Sequence, residues 1–222
     1  MKLTECEAFL FDLDGVLLDS EPLHDRCSLS VLRNVGIIAE SSVLSPFRGA
    51  SSRVLWQNMK SKYGLSESED ELVRMQWETI TAMVPGCGIP ASRGLAELLE
   101  KLKDKKIPCA IASSSAREYI EAVLKYLGVE RYFSEVVDGF MVTKGKPAPD
   151  IYLLAAEKLG ADPAKCVVVE DSTNGVKAGK NAGMYVIGYD NPTSPGQDIS
   201  PADIKVKSLF EAVDLISDGE ES

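Results

Sequence analysis

From residue 92 onward, short runs that are apolar throughout alternate with helical segments, and no other pattern constrains the fold of this chain as strongly. Helix 92–104 leads to PCAIA at 108–112, and helix 115–127 leads to a short strand at Val136–Val137. Helix 149–159 then leads to CVVVE at 166–170, and helix 173–182 to MYVIG at 184–188. Strands without polar alternation are covered on both faces, and strands of that kind separated by helices build a parallel sheet between helical layers. A first strand at about 7–12 belongs to the same set. From about residue 20 to 85 the chain reads as helix after helix, with Leu29, Leu32 and Val35, then Val54, Leu55 and Met59, then Leu72, Met75 and Ile80 at helical spacing, and the segment closes at the turn Val84-Pro85-Gly86. The expected architecture is α/β: a doubly wound, Rossmann-like parallel core from residues 1–16 and 87–222. A small α-helical cap domain, 17–86, is inserted after the first strand. A final amphipathic helix covers roughly 207–216 before an acidic tail (DGEES), and 190–203 reads as a polar, proline-rich loop.

The first strand is also the most informative for chemistry. Residues 9–16 read FLFDLDGV, so an apolar strand stops at two aspartates with one residue between them. Open α/β sheets build their sites at the carboxyl ends of strands. There, one carboxylate can attack phosphorus or bind a divalent cation while the other moves a proton. If the strand ends at Asp12, the turn and not strand alternation decides where Asp14 points. Asp-Gly is also ordinary turn punctuation. A calcium loop fits poorly, because Asp14 directly precedes Gly15 with only Leu13 between the acids.

Three other strand ends carry suitable groups. Ser113, Ser114 and Ser115 follow the second core strand. The Ser113 hydroxyl suits a phosphate oxygen, and Ser114 lies in the same turn, where backbone amides at a helix start attract anions. Ser115 with Glu118 fits a capping box, a structural role. In Lys144-Gly145-Lys146-Pro147 we expect Lys144 to be a solvated loop charge and Lys146 to be a fixed positive charge near the acids. Glu170-Asp171 closes CVVV, and two acids ending a buried strand need a cationic partner such as Mg²⁺. After them, Gly175, Ala178, Gly179 and Ala182 place small residues on one helical face, which we read as close packing on the sheet.

Composition bounds the rest. A net charge of −10 argues against a nucleic-acid surface, while a site within an acidic protein can still be locally positive. No apolar stretch approaches the roughly 18–20 residues needed to span a bilayer, and the N-terminus does not read as a signal peptide. Five cysteines without a CxxC pair point to a reduced, cytoplasmic setting without thiol or zinc chemistry. A monomer is expected.

The order FDLDGV, SSS at a strand end, KPAPD and VVVEDS resembles the four motifs of the haloacid dehalogenase-type phosphotransferases. An insert directly after the first motif is similar to the subgroup that contains β-phosphoglucomutase and sugar-phosphate phosphatases. The resemblance implies that Asp12 is a nucleophile forming an aspartyl-phosphate, and that Asp14 is the general acid and then the base. Ser113 and Lys146 would steady the phosphoryl oxygens. Asp12, the Asp14 carbonyl and Asp171 would hold Mg²⁺ with Glu170 close by. In the insert, His24 and either Arg53 or Arg48 become candidate substrate contacts. Arg53 lies one residue later than mutase spacing requires, and 76–84 (QWETITAMV) lacks the lysine a mutase would use. These departures favour a phosphatase of small phosphorylated metabolites, sugar phosphates foremost, with a phosphosugar mutase as the alternative. A phosphoacceptor signalling domain or a non-catalytic phosphate-binding protein would use similar groups. The former, however, is shorter and lacks such an insert.

Overall fold

The computed structural model describes residues 3–47, 50–192 and 196–217. By internal contacts it divides into residues 1–19 with 89–222, and residues 20–88.

The first unit is built on a six-stranded sheet in the order β3-β2-β1-β4-β5-β6, parallel at every pairing. The strands are β1 (Ala8–Phe11), β2 (Cys109–Ala112), β3 (Phe133–Val137), β4 (Cys166–Glu170), β5 (Tyr185–Tyr189) and β6 (Ile204–Val206). Every residue of β1, β2 and β4 is buried, as continuous apolar strands between two helical layers must be. On one face Ala8, Leu10, Val168 and Val186 pack with Ile151, Tyr152 and Val176. β1 lies between β2 and β4, where the strand order reverses, so the carboxyl ends of β1 and β4 face one crevice. Register puts Phe11 beside Val169, hence Asp12 level with Glu170, and the Asp12 amide donates to the Val169 carbonyl at 3.1 Å.

Two differences from the sequence reading concern boundaries. Residues 17–19 stay with the sheet unit: Leu17 and Leu18 are fully buried, Leu17 accepts from the Ser92 amide, and Leu18 bridges Ala91. The 190–203 stretch is followed by β6, a three-residue edge strand with Lys205 at its centre, which offers too short an apolar pattern to be legible. The tail 218–222 lies outside the described residues.

The second unit is helical. It comprises α1 (Glu21–Asn34), α2 (Ser52–Tyr63) and α3 (Glu69–Met83), with short 3₁₀ turns. Pro22 stands in the first turn of α1, and Ser68 with Glu71 forms a complete capping box on α3. Leu23, Cys27, Val31, Leu32, Trp56, Met59, Leu72 and Ile80 make its core, and Trp56 Nε1 donates to the buried Gln76 at 2.6 Å.

The sheet unit's remaining helices are α4 (Leu95–Asp104), α5 (Arg117–Leu127), α6 (Asp150–Leu159), α7 (Thr173–Asn181) and α8 (Leu209–Ser217). Among the described residues, no helix is long and apolar enough to cross a membrane.

Candidate active site

Asp12, Ser113 and Glu170 with Asp171 stand at the carboxyl ends of β1, β2 and β4, and the loop after β3 brings Lys146 to them. The Lys146 ammonium donates to Asp12 Oδ1 at 2.7 Å and to Glu170 Oε1 at 2.6 Å, and lies 4.9 Å from the Tyr152 ring centroid. Glu170 is fully buried with both oxygens engaged. Oε1 also accepts from Tyr152 Oη at 2.8 Å, and Oε2 accepts from the amide and hydroxyl of Ser172 at 3.0 Å. Burial alone would strip the lysine of its proton, but the two carboxylates hold it charged, above its ordinary range. Desolvation raises Asp12 to about 7, against Lys146, with Glu170 and Asp14 adding to the rise.

Asp12, Glu170 and Asp171 present oxygens within 4.8 Å of one another, all three buried. Three carboxylates against one ammonium leave negative charge that a hard divalent cation would offset. Gly15, at φ +80°, makes room for the group at Asp171. A Cβ there would lie 2.0 Å from Asp171 Oδ2, so only glycine permits both the turn and the approach. Asn191 Nδ2 fixes the same turn by donating to the Gly15 carbonyl at 3.1 Å.

The serine loop is built against the β3 end. Ser113 donates its amide to Val137 O at 3.0 Å, and its hydroxyl accepts from the Ser115 amide at 3.1 Å. Ser114 is exposed, and its carbonyl packs so closely on Gly139 that a Cβ at 139 would lie 2.2 Å from it. Asp138, held by Arg117 Nε at 3.2 Å and by the Phe140 amide at 2.9 Å, pins the neighbouring turn.

One reading of the sequence needs correction here. Ser115 does not cap α5: the N-cap is Ala116, without a side-chain bond, and the Ser115 hydroxyl donates to Asp14 Oδ2 at 2.6 Å. The buried serine meets a carboxylate from the turn after β1, distant in sequence, which outcompetes the local partner at 118. Gly175 lets α7 pack closely on the sheet, as its small-residue face implies, and the group it makes room for is Glu170 at the end of β4: a Cβ there would fall 1.7 Å from Glu170 Oε1. Sequence alone gives no signal that places Ser115, Tyr119, Tyr152, Asn191 and Asp138 around the acids. Their partners are distant in sequence, and a tyrosine on an apolar helix face reads as core. Lys144 is exposed, as a solvated loop charge would be.

Two of the insert residues have described contacts within the helical unit. His24, on α1, meets the Trp77 ring edge-on at 6.4 Å. Arg53 donates to Asp70 at 2.7 Å and lies 3.8 Å from Glu69. Arg48 lies outside the described residues.

The chain is similar to proteins of known activity across most of its length. It is 33% identical over 182 residues to the phosphorylated carbohydrates phosphatase of Thermotoga maritima, covering 80% of this chain and 82% of that protein. It is 30% identical over 210 residues to the β-phosphoglucomutase of Bacillus subtilis, covering 90% and 89%. The phosphate complex of CbbY from Rhodobacter sphaeroides superposes with a TM-score of 0.85 at 26% identity, covering 93% and 96%. Residues 6–183 match the model of the haloacid dehalogenase-like hydrolases. With four acid, hydroxyl and lysine motifs at the strand ends of a parallel sheet, the chain belongs to the haloacid dehalogenase-like hydrolase family.

Proposed function

We propose that this protein is a Mg²⁺-dependent phosphatase of small phosphorylated metabolites, sugar phosphates foremost, working through an aspartyl-phosphate. The observation that carries this reading is Lys146, bridging Asp12 and Glu170 at 2.7 and 2.6 Å beside Asp171. A carboxylate can approach a phosphate dianion only where cations offset the repulsion.

Asp12 attacks phosphorus. The new Oδ–P bond forms as the bond from phosphorus to the organic oxygen breaks, and that oxygen takes the proton of the Asp14 carboxyl. Water then attacks the aspartyl-phosphate and gives a proton to the Asp14 carboxylate. The Oδ–P bond breaks, restoring Asp12 and releasing inorganic phosphate. Ser113 and Lys146 bind the phosphoryl oxygens, with Ser114 contributing at the exposed side of the loop. Asp12, Asp171 and the Asp14 carbonyl would hold Mg²⁺, and Glu170 braces the set from its four hydrogen bonds. When bound, the ion supplies charge neutralisation at the phosphoryl group. Phosphoryl transfer asks for positioning and neutralisation above all, which such an arrangement provides.

We assign choice of the organic group to the helical insert, with His24, Arg53 and Arg48 as candidate contacts. The one-residue displacement of Arg53 and the absence of a lysine from 76–84 favour the phosphatase over the mutase. The test is a steady-state screen of sugar phosphates with Mg²⁺. It includes β-glucose 1-phosphate with a trace of the 1,6-bisphosphate, and free phosphate and glucose 6-phosphate are scored separately. Phosphate release that vanishes in Asp12→Asn is expected. Glucose 6-phosphate without matching phosphate would make the protein a mutase.

A further inference from the structure

Asp14 lies beyond the end of β1, so its direction is set by what receives it. Both carboxylate oxygens are met from the α5 side of the sheet. Ser115 Oγ donates to Oδ2 at 2.6 Å and Tyr119 Oη donates to Oδ1 at 2.9 Å. The two hydroxyls sit four residues apart, one on the loop before α5 and one on its first full turn. Tyr119 is completely buried and Ser115 is 4% exposed.

The two donors differ in freedom. A serine hydroxyl swings away with one rotation about χ1. A phenol on a ring packed on all sides does not, and its donor stays where the core puts it. In the first step the Asp14 carboxyl must direct a proton at the departing oxygen, so one of its oxygens must be given up to substrate. The Ser115 bond is the one able to yield.

We propose that Tyr119 is a positioning residue for the acid–base step. Its phenol keeps hold of Oδ1 throughout, so the exchangeable proton rides on Oδ2, the oxygen the Ser115 hydroxyl leaves when substrate arrives. As the P–O bond breaks, the departing alkoxide takes that proton and Asp14 becomes the carboxylate, still held at Oδ1. The proposal rests on the reading of Asp14 as acid and base.

The test compares the wild type, Tyr119→Phe, Asp14→Asn and the double variant, all with Mg²⁺. Two substrates are used: an alkyl phosphate such as a hexose phosphate, whose leaving oxygen needs a proton, and 4-nitrophenyl phosphate, whose leaving oxygen does not. The readout is the ratio of kcat/KM for the two substrates within each variant, from which any loss of folded protein cancels. For Tyr119→Phe the alkyl value falls about tenfold, the scale of one hydrogen bond to a charged group, while the aryl value stays within about twofold. In the Asp14→Asn background, adding Tyr119→Phe leaves the ratio unchanged, because the group it positions is gone. Equal losses on both substrates in Tyr119→Phe, with Asp14→Asn still discriminating between them, would overturn the role of Tyr119 alone. Equal losses in Asp14→Asn would overturn the acid–base reading and this proposal with it.

Discussion

At the scale of single residues, Lys146 is the group on which the site depends most. Its ammonium contacts two buried carboxylates, so removing it leaves both without that cation in a dry environment. Breaking a buried pair from one side costs about 3–5 kcal/mol. Lys146→Met is therefore expected to lower the denaturation midpoint and to cut turnover by at least about a hundredfold, as loss of a preorganised cationic partner does. Adding Glu170→Gln should recover much of the stability and none of the turnover, read by urea melts beside the phosphatase assay. If stability did not recover, the loss would lie in the packing of the lysine stem. The place of Lys146 beside the acids was legible from the proline-stiffened turn that Pro147 forms after it. The roles of Tyr119 and Tyr152 were not, since each hydroxyl finds its carboxylate only after the sheet has assembled.

Elements carry the next part of the argument. Strand β4 delivers Glu170 because α7 approaches it without a side chain in the way, and Gly175 and Gly179 do this at two levels of the same helix. At Gly175 a Cβ would strike the Glu170 carboxylate at 1.7 Å, whereas at Gly179 it would meet Val186 Cγ2 at 2.8 Å. Both alanine variants should lose about 1–3 kcal/mol through overpacking. Only Gly175→Ala should also lower kcat, by an order of magnitude or more, because it displaces the acceptor that holds Lys146. Comparable kcat in the two variants, measured where both are folded, would detach α7 from the site. The same helix shows what sequence can and cannot reveal. Small residues at helical spacing announce a close approach, but not whether a valine or a carboxylate lies opposite. Apolar runs likewise marked β1, β2, β4 and β5, whereas β6, with Lys205 between Ile204 and Val206, had no such run to mark it.

For the whole molecule, the consequence of gathering these acids is a stability that depends on pH and cations together. The chain carries a net charge of −10, and the fold brings Asp12, Glu170 and Asp171 within 4.8 Å of one another. Burial raises Asp12 from 3.8 to about 7, with Glu170 and Asp14 adding to the rise despite Lys146. Between those values the folded protein keeps a proton that the unfolded chain has released, so this group's contribution to stability falls as pH rises through the window and is smallest above it. A divalent cation among the same oxygens favours the ionised carboxylate and must displace that proton at low pH. Mg²⁺ should therefore stabilise more at pH 8 than at pH 5. At a hundredfold excess over its Kd it contributes about 2.7 kcal/mol, roughly 5–10 °C in Tm for a chain of this size. The expected result is a rise of that order at pH 8 and less than half of it at pH 5, with both shifts lost in Asp171→Asn. Equal shifts at the two pH values would show that binding does not compete with the Asp12 proton. Shifts that survive Asp171→Asn would place the ion elsewhere on this acidic surface.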